Sequence, residues 1–184
     1  MNIFYTHTDP ELAAQSLPDK HISKMPIECV QLLVSALNRN GIEHDVRTKA
    51  GTKHKGGYPN HPSTLWTGDA QTHFEWVLAH GVALCHEFER RFGRPHACLL
   101  QLMAIDIADH VAELKDDTFS APPQCMPDEA KHVCTVTAYR RCIATKVLDK
   151  PDSFVWRKGR PEPDWLQSHV ETLQDEQSTS LAFV

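Results

Sequence analysis

The chain has 184 residues, of which 41% are hydrophobic and 23% are charged, and its formal net charge is −5 at pH 7. This length and composition fit one globular domain with a core, and they exclude a chain that is disordered throughout. No apolar run approaches the ~20 residues that a membrane-spanning helix needs. The acidic balance argues against a protein that coats nucleic acid through general positive charge.

The N-terminus and the cysteines indicate a protein that stays in the cytoplasm. Residues 1–5 lack the basic start and the long apolar stretch of a secretory signal peptide. The six cysteines include no CxxC pair, so a zinc knuckle is disfavoured, and they are typical of buried thiols in a reducing compartment. We therefore expect a cytoplasmic protein that makes no membrane contact.

Apolar residues at three- and four-residue spacing predict a mostly α fold, a compact single-domain bundle of about five to six helices with a long loop. A short extended segment, Ile3 to Tyr5, precedes the bundle. The predicted helices run from Asp9 to near Pro18, from Asp19 to Asn38, from Asp69 to Gly93, from Pro95 to Leu114, from Asp128 to Leu148 and, as a last short helix, from Trp165. The helical domain is expected to cover residues 1–173, with a flexible C-terminal tail at residues 174–184.

Three local features modify this pattern. Pro26 lies inside the second helix and is expected to bend or split it. Residues 39–68 contain many Gly, Lys, His and Pro residues without a sustained period, which predicts the long loop. In the helix from Asp128, the spacing predicts burial of Val133, Val136, Tyr139 and Ile143.

The second predicted helix carries a row of polar side chains beside its apolar stripe. His21, Lys24, Glu28 and Gln31 are spaced by three, four and three residues, so they lie on one face of a helix. A lysine that is partly shielded from water can act as a nucleophile or base, and a glutamate one turn away can transfer protons. The alternative is a solvated helix face with an ordinary Lys–Glu pair.

A second candidate site lies in residues 57–66. Two prolines bracket Asn60 and His61 and restrict the backbone, which holds the imidazole in place. The rings of Tyr58 and Trp66 offer flat surfaces on which a nucleobase can stack. The alternative is a turn that packs its aromatic rings onto the core.

Positive charge is concentrated in two short runs despite the acidic total. The first contains Arg47, Lys49, Lys53 and Lys55 in the predicted loop, and the second spans residues 156–160. Runs of this kind can bind the phosphates of DNA or of a nucleotide, and the first is the predicted phosphate-binding segment. For both runs, solvated loops without a ligand are the alternative.

The twelve histidines raise the alternative of a metal-dependent nucleotide or phosphoester hydrolase. Asp106 and His110 lie one helical turn apart and could share an ion, whereas His44-Asp45, a His-Asp pair, falls in the predicted loop. The chain contains no phosphate-binding loop, dinucleotide-binding glycine pattern or serine-hydrolase motif. The leading interpretation includes no metal and no cofactor.

Several short motifs along most of the chain resemble a widespread family of small bacteriophage proteins. The matching residues are Asn2-Ile3-Phe4, Asp9-Pro10, Ala13-Ala14-Gln15, Asp19-Lys20-His21, Lys24-Met25-Pro26, Glu28, Asn60-His61-Pro62, Trp76, Glu87, Arg91, Gly93, His96, Met126-Pro127-Asp128-Glu129, Tyr139-Arg140 and the segment from Trp156 to Trp165. The resemblance implies a phage or prophage origin, with the protein in the cytoplasm of the infected or lysogenic host cell.

The N-terminal third is also similar to the pyrimidine-dimer DNA glycosylases of the phage endonuclease V type. The similar pieces are Glu11-Leu12-Ala13 with Gln15, the apolar-proline step Met25-Pro26 and the segment from Tyr58 to Trp66. This similarity implies a compact helical enzyme that attacks the sugar C1′ with its N-terminal amine, forms an imine with DNA and uses a helix glutamate as acid and base.

The chain departs from that glycosylase pattern at two places. Asn2 stands where a small residue would allow Met1 to be removed and the next amine to be freed. Lys24 stands directly before the Met25-Pro26 step, where the glycosylases carry their glutamate, and Glu28 follows two residues after the proline. The similarity thus leaves the nucleophile open between Lys24, the N-terminal amine and water.

The leading hypothesis is a phage-type DNA-processing enzyme that acts at the glycosidic bond of a pyrimidine nucleotide, as a glycosylase with an imine-forming lyase step. The predicted catalytic residues are Glu28, Lys24, His21 and His61. The predicted substrate-binding residues are Asn2, Gln31, Tyr58, Asn60 and Trp66. DNA or a nucleotide is the expected partner. Besides the metal-dependent hydrolase, the remaining alternative is a non-enzymatic phage effector that binds a host protein or a small signal.

Overall fold

Seven α-helices account for most of the chain that the structure describes. The structure is a computed structural model, and it describes residues 1–105, 113–115 and 117–182. The helices are α1 (Pro10–Gln15), α2 (Asp19–Arg39), α3 (Pro62–Asp69), α4 (Gln71–Phe92), α5 (Cys98–Ile105), α6 (Thr135–Asp149) and α7 (Trp165–Ala182). These ranges contain no β-strand beyond an isolated bridge between Arg47 and Lys53. The mostly α, compact fold is confirmed, with one or two more helices than predicted.

The long helix α2 lies in the core and packs against α3, α4 and α5. Its apolar stripe is buried as the spacing predicts, since Ile22, Met25, Cys29, Leu32 and Ala36 each expose 1% or less of their surface. Burial of a Leu, Ile or Met side chain stabilises a fold by about 1.5–3 kcal/mol. This stripe therefore fixes which face of α2 points inward, and the row of polar side chains comes to lie at the rim of the core.

Pro26 does not split α2. The helix is continuous from Asp19 to Arg39, although proline lacks the N–H that would bond the carbonyl of Ile22. Pro26 is itself buried, with Met25 beside it, so tertiary packing holds the helix together across the missing bond. The expectation of a split is wrong for this reason.

The predicted loop at residues 39–68 ends in a helix, α3, that the prediction lacks. The Nδ1 atom of His61 accepts a hydrogen bond from the backbone N–H of Ser63 at 3.2 Å and so caps the helix, which begins at Pro62. Proline is common at the first position of a helix, but histidine is not among the preferred capping residues. The sequence therefore contains the proline that is typical of a helix start but lacks a preferred capping residue before it.

The helix predicted from Asp128 instead begins at Thr135, after a single 3-10 turn. The side chain of Gln124 forms hydrogen bonds with both the N–H and the carbonyl of His132. These bonds occupy backbone groups that a helix would need for itself. Val133 is consequently fully exposed rather than buried as predicted.

The remaining helix bounds differ from the prediction mainly in length. Gly93 ends α4 in the left-handed conformation, with φ of 69°, as its position in the sequence predicts. The predicted continuation of α5 toward Leu114 passes through residues 106–112, which lie outside the described residues. The last helix packs against α6 and runs to Ala182, so it is longer than predicted and continues into the proposed tail, whose flexibility stays a prediction. Within the described ranges, no helix is both long and apolar enough to cross a membrane.

A buried ion network joins α1, α4 and the segment before α7. The guanidinium of Arg91 donates hydrogen bonds to Glu87 Oε1 at 2.7 Å, to Asp19 Oδ1 at 3.0 Å, and to the backbone carbonyls of the last residue of α1 and of Leu17 just after it. Arg160 donates two further hydrogen bonds to the Glu87 carboxylate, at 2.9 and 2.7 Å. Because the Arg91 side chain is fully buried, its charge depends on these partners.

We expect Arg91→Ala to lower the free energy of unfolding by about 3–5 kcal/mol, because it leaves the buried Glu87 charge short of a partner. The matched control is Arg39→Ala, which removes an exposed pair with Asp69 and should cost no more than about 1 kcal/mol. Urea unfolding measures both variants. Equal losses in the two would show that the buried network stabilises the fold no more than the exposed pair does.

Candidate active site

The Glu28 carboxylate lies at the rim of the core with two amines beside it. Its Oε2 atom accepts a hydrogen bond from the backbone N–H of Asn2 at 2.8 Å and lies 4.0 Å from the N-terminal amine of Met1. Its Oε1 atom lies 3.0 Å from Lys24 Nζ. The Glu28 side chain is 10% exposed and that of Lys24 is 67% exposed. One buried carboxylate thus contacts both of the amines that the sequence offers as nucleophiles.

The N-terminal segment is fixed in place by bonds from both of its sides. The side chain of Asn2 donates to the carbonyl of Cys125 at 3.1 Å and accepts from the N–H of Phe4 at 2.9 Å. The side chain of Met1 is buried, and its sulfur accepts a weak hydrogen bond from Thr64 Oγ1 at 3.9 Å. These contacts hold the α-amine beside Glu28 instead of leaving it free in solvent.

A tight turn brings Tyr58 to the same place. Ser35 Oγ accepts from the N–H of Gly57 at 2.8 Å and donates to its carbonyl at 3.0 Å. Gly56 has φ of 76° and Tyr58 has φ of 53°, a left-handed conformation that residues with a side chain rarely adopt. The Tyr58 ring is left 64% exposed.

These elements enclose a small cavity of about 250 Å³. Its lining residues are Met1, Lys24, Ile27, Glu28, Gln31 and Tyr58. The cavity contains four of the predicted site residues and Met1, whose amine the family resemblance offers as a nucleophile, and it adds Ile27, which the sequence did not suggest. Ile27 is 47% exposed, and its only signal in the sequence is an apolar residue on the otherwise polar side of α2.

His61 lies close to the cavity without lining it. Burial lowers the pKa of His61, the positive N-terminal amine lowers it further, and the Glu28 carboxylate opposes both effects. Tyr58, which belongs to the same candidate segment as His61, lines the cavity together with Lys24 and Glu28, so the two candidate segments of the sequence meet in space. Its Nδ1 atom is occupied as the cap of α3, so Nε2 is the ring nitrogen available for proton transfer.

His21 is buried and does not reach the Glu28 cavity. Its ring stacks on Phe4 at 4.2 Å between centroids and meets the edge of Phe154 at 5.3 Å. Burial lowers the pKa of His21 to about 3, assisted by the charges of nearby lysines. The imidazole is therefore neutral at pH 7 and packs behind the N-terminal segment, which is a positioning role rather than that of a proton donor.

Two of the predicted substrate-binding residues lie away from the cavity. The indole of Trp66 is buried, donates to the carbonyl of Ser120 at 3.1 Å and stacks on His73 at 4.3 Å between centroids. Trp66 is therefore a core residue, as the alternative interpretation of this segment has it. Asn60 is exposed in the turn before His61 and does not line the cavity.

The predicted phosphate-binding run is partly neutralised. Arg47 donates to Asp45 at 2.8 Å, and Lys53 lies 2.8 Å from Glu43. Two further cations of the run, at positions 49 and 55, are exposed, and neither has an ion pair with any residue that the structure describes. The run therefore offers fewer available charges than its sequence indicates.

The histidines do not form a cluster in the described ranges. Among those residues, no three His, Cys, Asp or Glu side chains are arranged so that they could hold a metal ion. His73 and His80 each bond a backbone carbonyl through Nδ1 at 2.9 Å. The pair Asp106 and His110 lies outside the described residues.

Residues 1–99 match the model of the family described as pyrimidine dimer DNA glycosylase. The chain belongs to this family. The family is one of glycosylase-type DNA repair enzymes, which implies a DNA substrate. The matched residues include Glu28 and every other residue that lines its cavity. No curated protein and no solved structure matches the chain.

We expect Gly56→Ala to destabilise the protein more than Gly51→Ala. Both glycines have a positive φ, so both variants bear the strain of a left-handed alanine, about 1–2 kcal/mol. A Cβ at Gly56 would also lie 2.1 Å from Ser35 Oγ and 2.8 Å from its backbone nitrogen, whereas a Cβ at Gly51 would meet nothing within 4 Å. The clash should add about 1–3 kcal/mol in urea unfolding. Equal losses would show that the turn moves freely around Ser35.

The stability of the protein should fall as the pH drops below 6.5, in part because of His21. Its pKa is about 3 in the folded chain against an ordinary 6.5, so unfolding takes up a proton between these values. The expected slope is up to about 1.4 kcal/mol per pH unit for this group. His21→Phe keeps a ring between Phe4 and Phe154 and removes this contribution. Urea unfolding from pH 7.5 to 4.5 tests it, and an unchanged slope in the variant would contradict a buried neutral imidazole.

Proposed function

We propose that the protein acts at the glycosidic bond of a pyrimidine nucleotide in DNA and follows base release with an imine-forming lyase step. The observation that carries this proposal is the Glu28 carboxylate at 2.8 to 4.0 Å from the first two backbone nitrogens and 3.0 Å from Lys24 Nζ. A nucleophilic amine and a general acid–base group within reach of each other are the two parts that such chemistry needs. Membership of the glycosylase family supports the same chemistry.

The proposed nucleophile is the N-terminal amine. An amine attacks through its neutral form, because an ammonium has no lone pair, and it must be held beside the sugar. Lys24 Nζ ends a flexible side chain that is two-thirds exposed, so its position is weakly fixed. The α-amine of Met1 belongs to the backbone of a residue whose side chain is buried, and it lies 4.0 Å from Glu28 Oε2, which also accepts from the Asn2 N–H. These contacts keep the amine at the cavity.

Glu28 is the proposed acid–base group in each step. The neutral amine forms a bond to C1′ while the glycosidic bond breaks, and the base leaves with that electron pair and takes up a proton from water. Glu28 accepts a proton from the attacking nitrogen and returns it to O4′ as the C1′–O4′ bond breaks, which opens the sugar ring, gives the protonated imine and leaves Glu28 ionised. Removal of a C2′ proton by Glu28 then expels the 3′-phosphate by β-elimination.

The other residues at the cavity have supporting roles in this proposal. The exposed ring of Tyr58 provides a stacking surface for a base that has left the helix. The amide of Gln31 can form hydrogen bonds with that base. Asn2 positions the amine through its bonds to Cys125 and Phe4. The neutral His61, which lies near the amine, can accept a proton from it.

Borohydride trapping tests the proposal. The protein is incubated with labelled DNA that contains an abasic site or ultraviolet photoproducts, and borohydride reduces any imine to a stable adduct. We expect an adduct with the parent protein and a rate about 10²–10⁴-fold lower in Glu28→Gln. The matched control is Glu43→Gln, which makes the same change at an exposed glutamate paired with Lys53 and should keep the parent rate.

Two further samples identify the nucleophile. N-terminally acetylated protein should form no adduct, whereas Lys24→Gln should still form one at a reduced rate. Adduct formation by the acetylated protein together with its loss in Lys24→Gln would transfer the role to Lys24. Base release without any adduct would indicate water as the nucleophile. Absence of base release and of adduct on every substrate would overturn the proposal.

A further inference from the structure

Two lysines from distant parts of the chain meet at one aromatic ring. Lys20 Nζ lies 5.2 Å from the centroid of the Phe154 ring, and Lys146 Nζ lies 6.0 Å from it. Lys20 belongs to the first turn of α2 and Lys146 to the last turn of α6, and Phe154 follows α6 in the chain. We call these three residues the Phe154 patch.

The Phe154 patch is continuous with the Glu28 site. His21 lies between them, since its ring packs on Phe154 and on Phe4 of the N-terminal segment. The charges of Lys146, Lys24 and Lys20, together with burial, lower the pKa of His21, so all three ammonium groups lie near this imidazole. A band of positive charge therefore leads from Phe154 to the Lys24 side of the cavity.

The lysines of the Phe154 patch have no carboxylate partners among the residues that the structure describes. Asp149 and Asp152 are close in sequence, but neither forms an ion pair with them. Cations held near each other without counter-charges repel one another, and an anion that binds there relieves this repulsion. The predicted run at residues 47–55 differs, because two of its four cations are already paired.

The spacing along α2 matches a nucleic-acid backbone. Lys20, Lys24 and Glu28 follow each other at intervals of four residues and lie on one face of the helix. Eight residues span about 12 Å along a helix axis, which is comparable to the rise of three to four base pairs along the axis of a DNA duplex, about 3.4 Å each. If a nucleotide is bound at Glu28, phosphates a few nucleotides along the same strand would therefore lie near Lys20.

We propose that the Phe154 patch binds the phosphodiester backbone of the DNA strand whose nucleotide enters the Glu28 cavity, a few nucleotides away from the reacting sugar. This inference rests on the proposed function. Phe154 acts as a positioning residue, since its ring attracts both ammonium groups and holds them on one surface. Lys146 and Phe154 lie outside residues 1–99, so the second half of the chain supplies part of this contact.

Binding to a fluorescent DNA duplex tests the inference. The duplex carries a tetrahydrofuran analogue of an abasic site. This analogue lacks the C1′ hydroxyl and cannot form an aldehyde, so no imine can form and only binding is measured. Anisotropy titrations at several salt concentrations give the slope of log K against log salt for the parent, Lys20→Gln and Lys146→Gln. The matched control is Lys131→Gln, at an exposed lysine that is paired with Asp128, and circular dichroism confirms folding of each variant.

We expect each variant of the Phe154 patch to bind several-fold more weakly than the parent and to lose about 0.9 from the magnitude of the slope. Lys131→Gln should match the parent in both.

The outcomes separate this inference from the proposed function. A parent that binds DNA and forms the borohydride adduct, with Lys20→Gln and Lys146→Gln equal to it in affinity and slope, would overturn the inference alone. Equal losses in Lys131→Gln would also overturn it, since the effect would then follow total charge. A parent that binds no DNA would overturn both.

Discussion

A carboxylate buried at the edge of an apolar core needs partners, because an unpaired charge there costs several kcal/mol. Glu28 finds its partners in the first two residues of the chain and in Lys24. The N-terminal segment packs into the core beside Glu28, and Ile3 to Thr6 are buried there. Phe4 stacks on His21 and shields its imidazole from water. The same interaction thus orders the N-terminus and assembles the group of atoms to which we assign the chemistry.

The two halves of the chain contribute unequally to this arrangement. Residues 1–99, which carry the family match, supply the carboxylate, the two amines and the exposed tyrosine ring. The rest of the chain forms hydrogen bonds that fix the position of these elements. The carbonyl of Cys125 anchors Asn2, and Arg160 anchors the segment before α7 to Glu87. A change far along the sequence can therefore act on the site through these anchors.

Net charge is a poor guide to where this protein can meet an anion. The total is −5, yet cations without a carboxylate partner in the described ranges lie around Phe154. Conversely, Arg47 and Lys53 belong to a basic run of the sequence, but their charges are neutralised by ion pairs with Asp45 and Glu43. Pairing between neighbouring side chains decides which charges remain available, because the field of a paired cation falls off quickly in water and salt.

The sequence by itself determined the long helices, the buried stripe of α2 and the juxtaposition of Lys24 with Glu28. All three follow from helix geometry, which places residues three and four apart on one face whatever surrounds them. Motifs in the first third also indicated the family. Only the tertiary structure decided that the amine of Met1 meets Glu28, that His21 is buried and that Trp66 belongs to the core. These outcomes depend on contacts between segments far apart in the chain, and local spacing contains no information about which distant segment covers a given side chain.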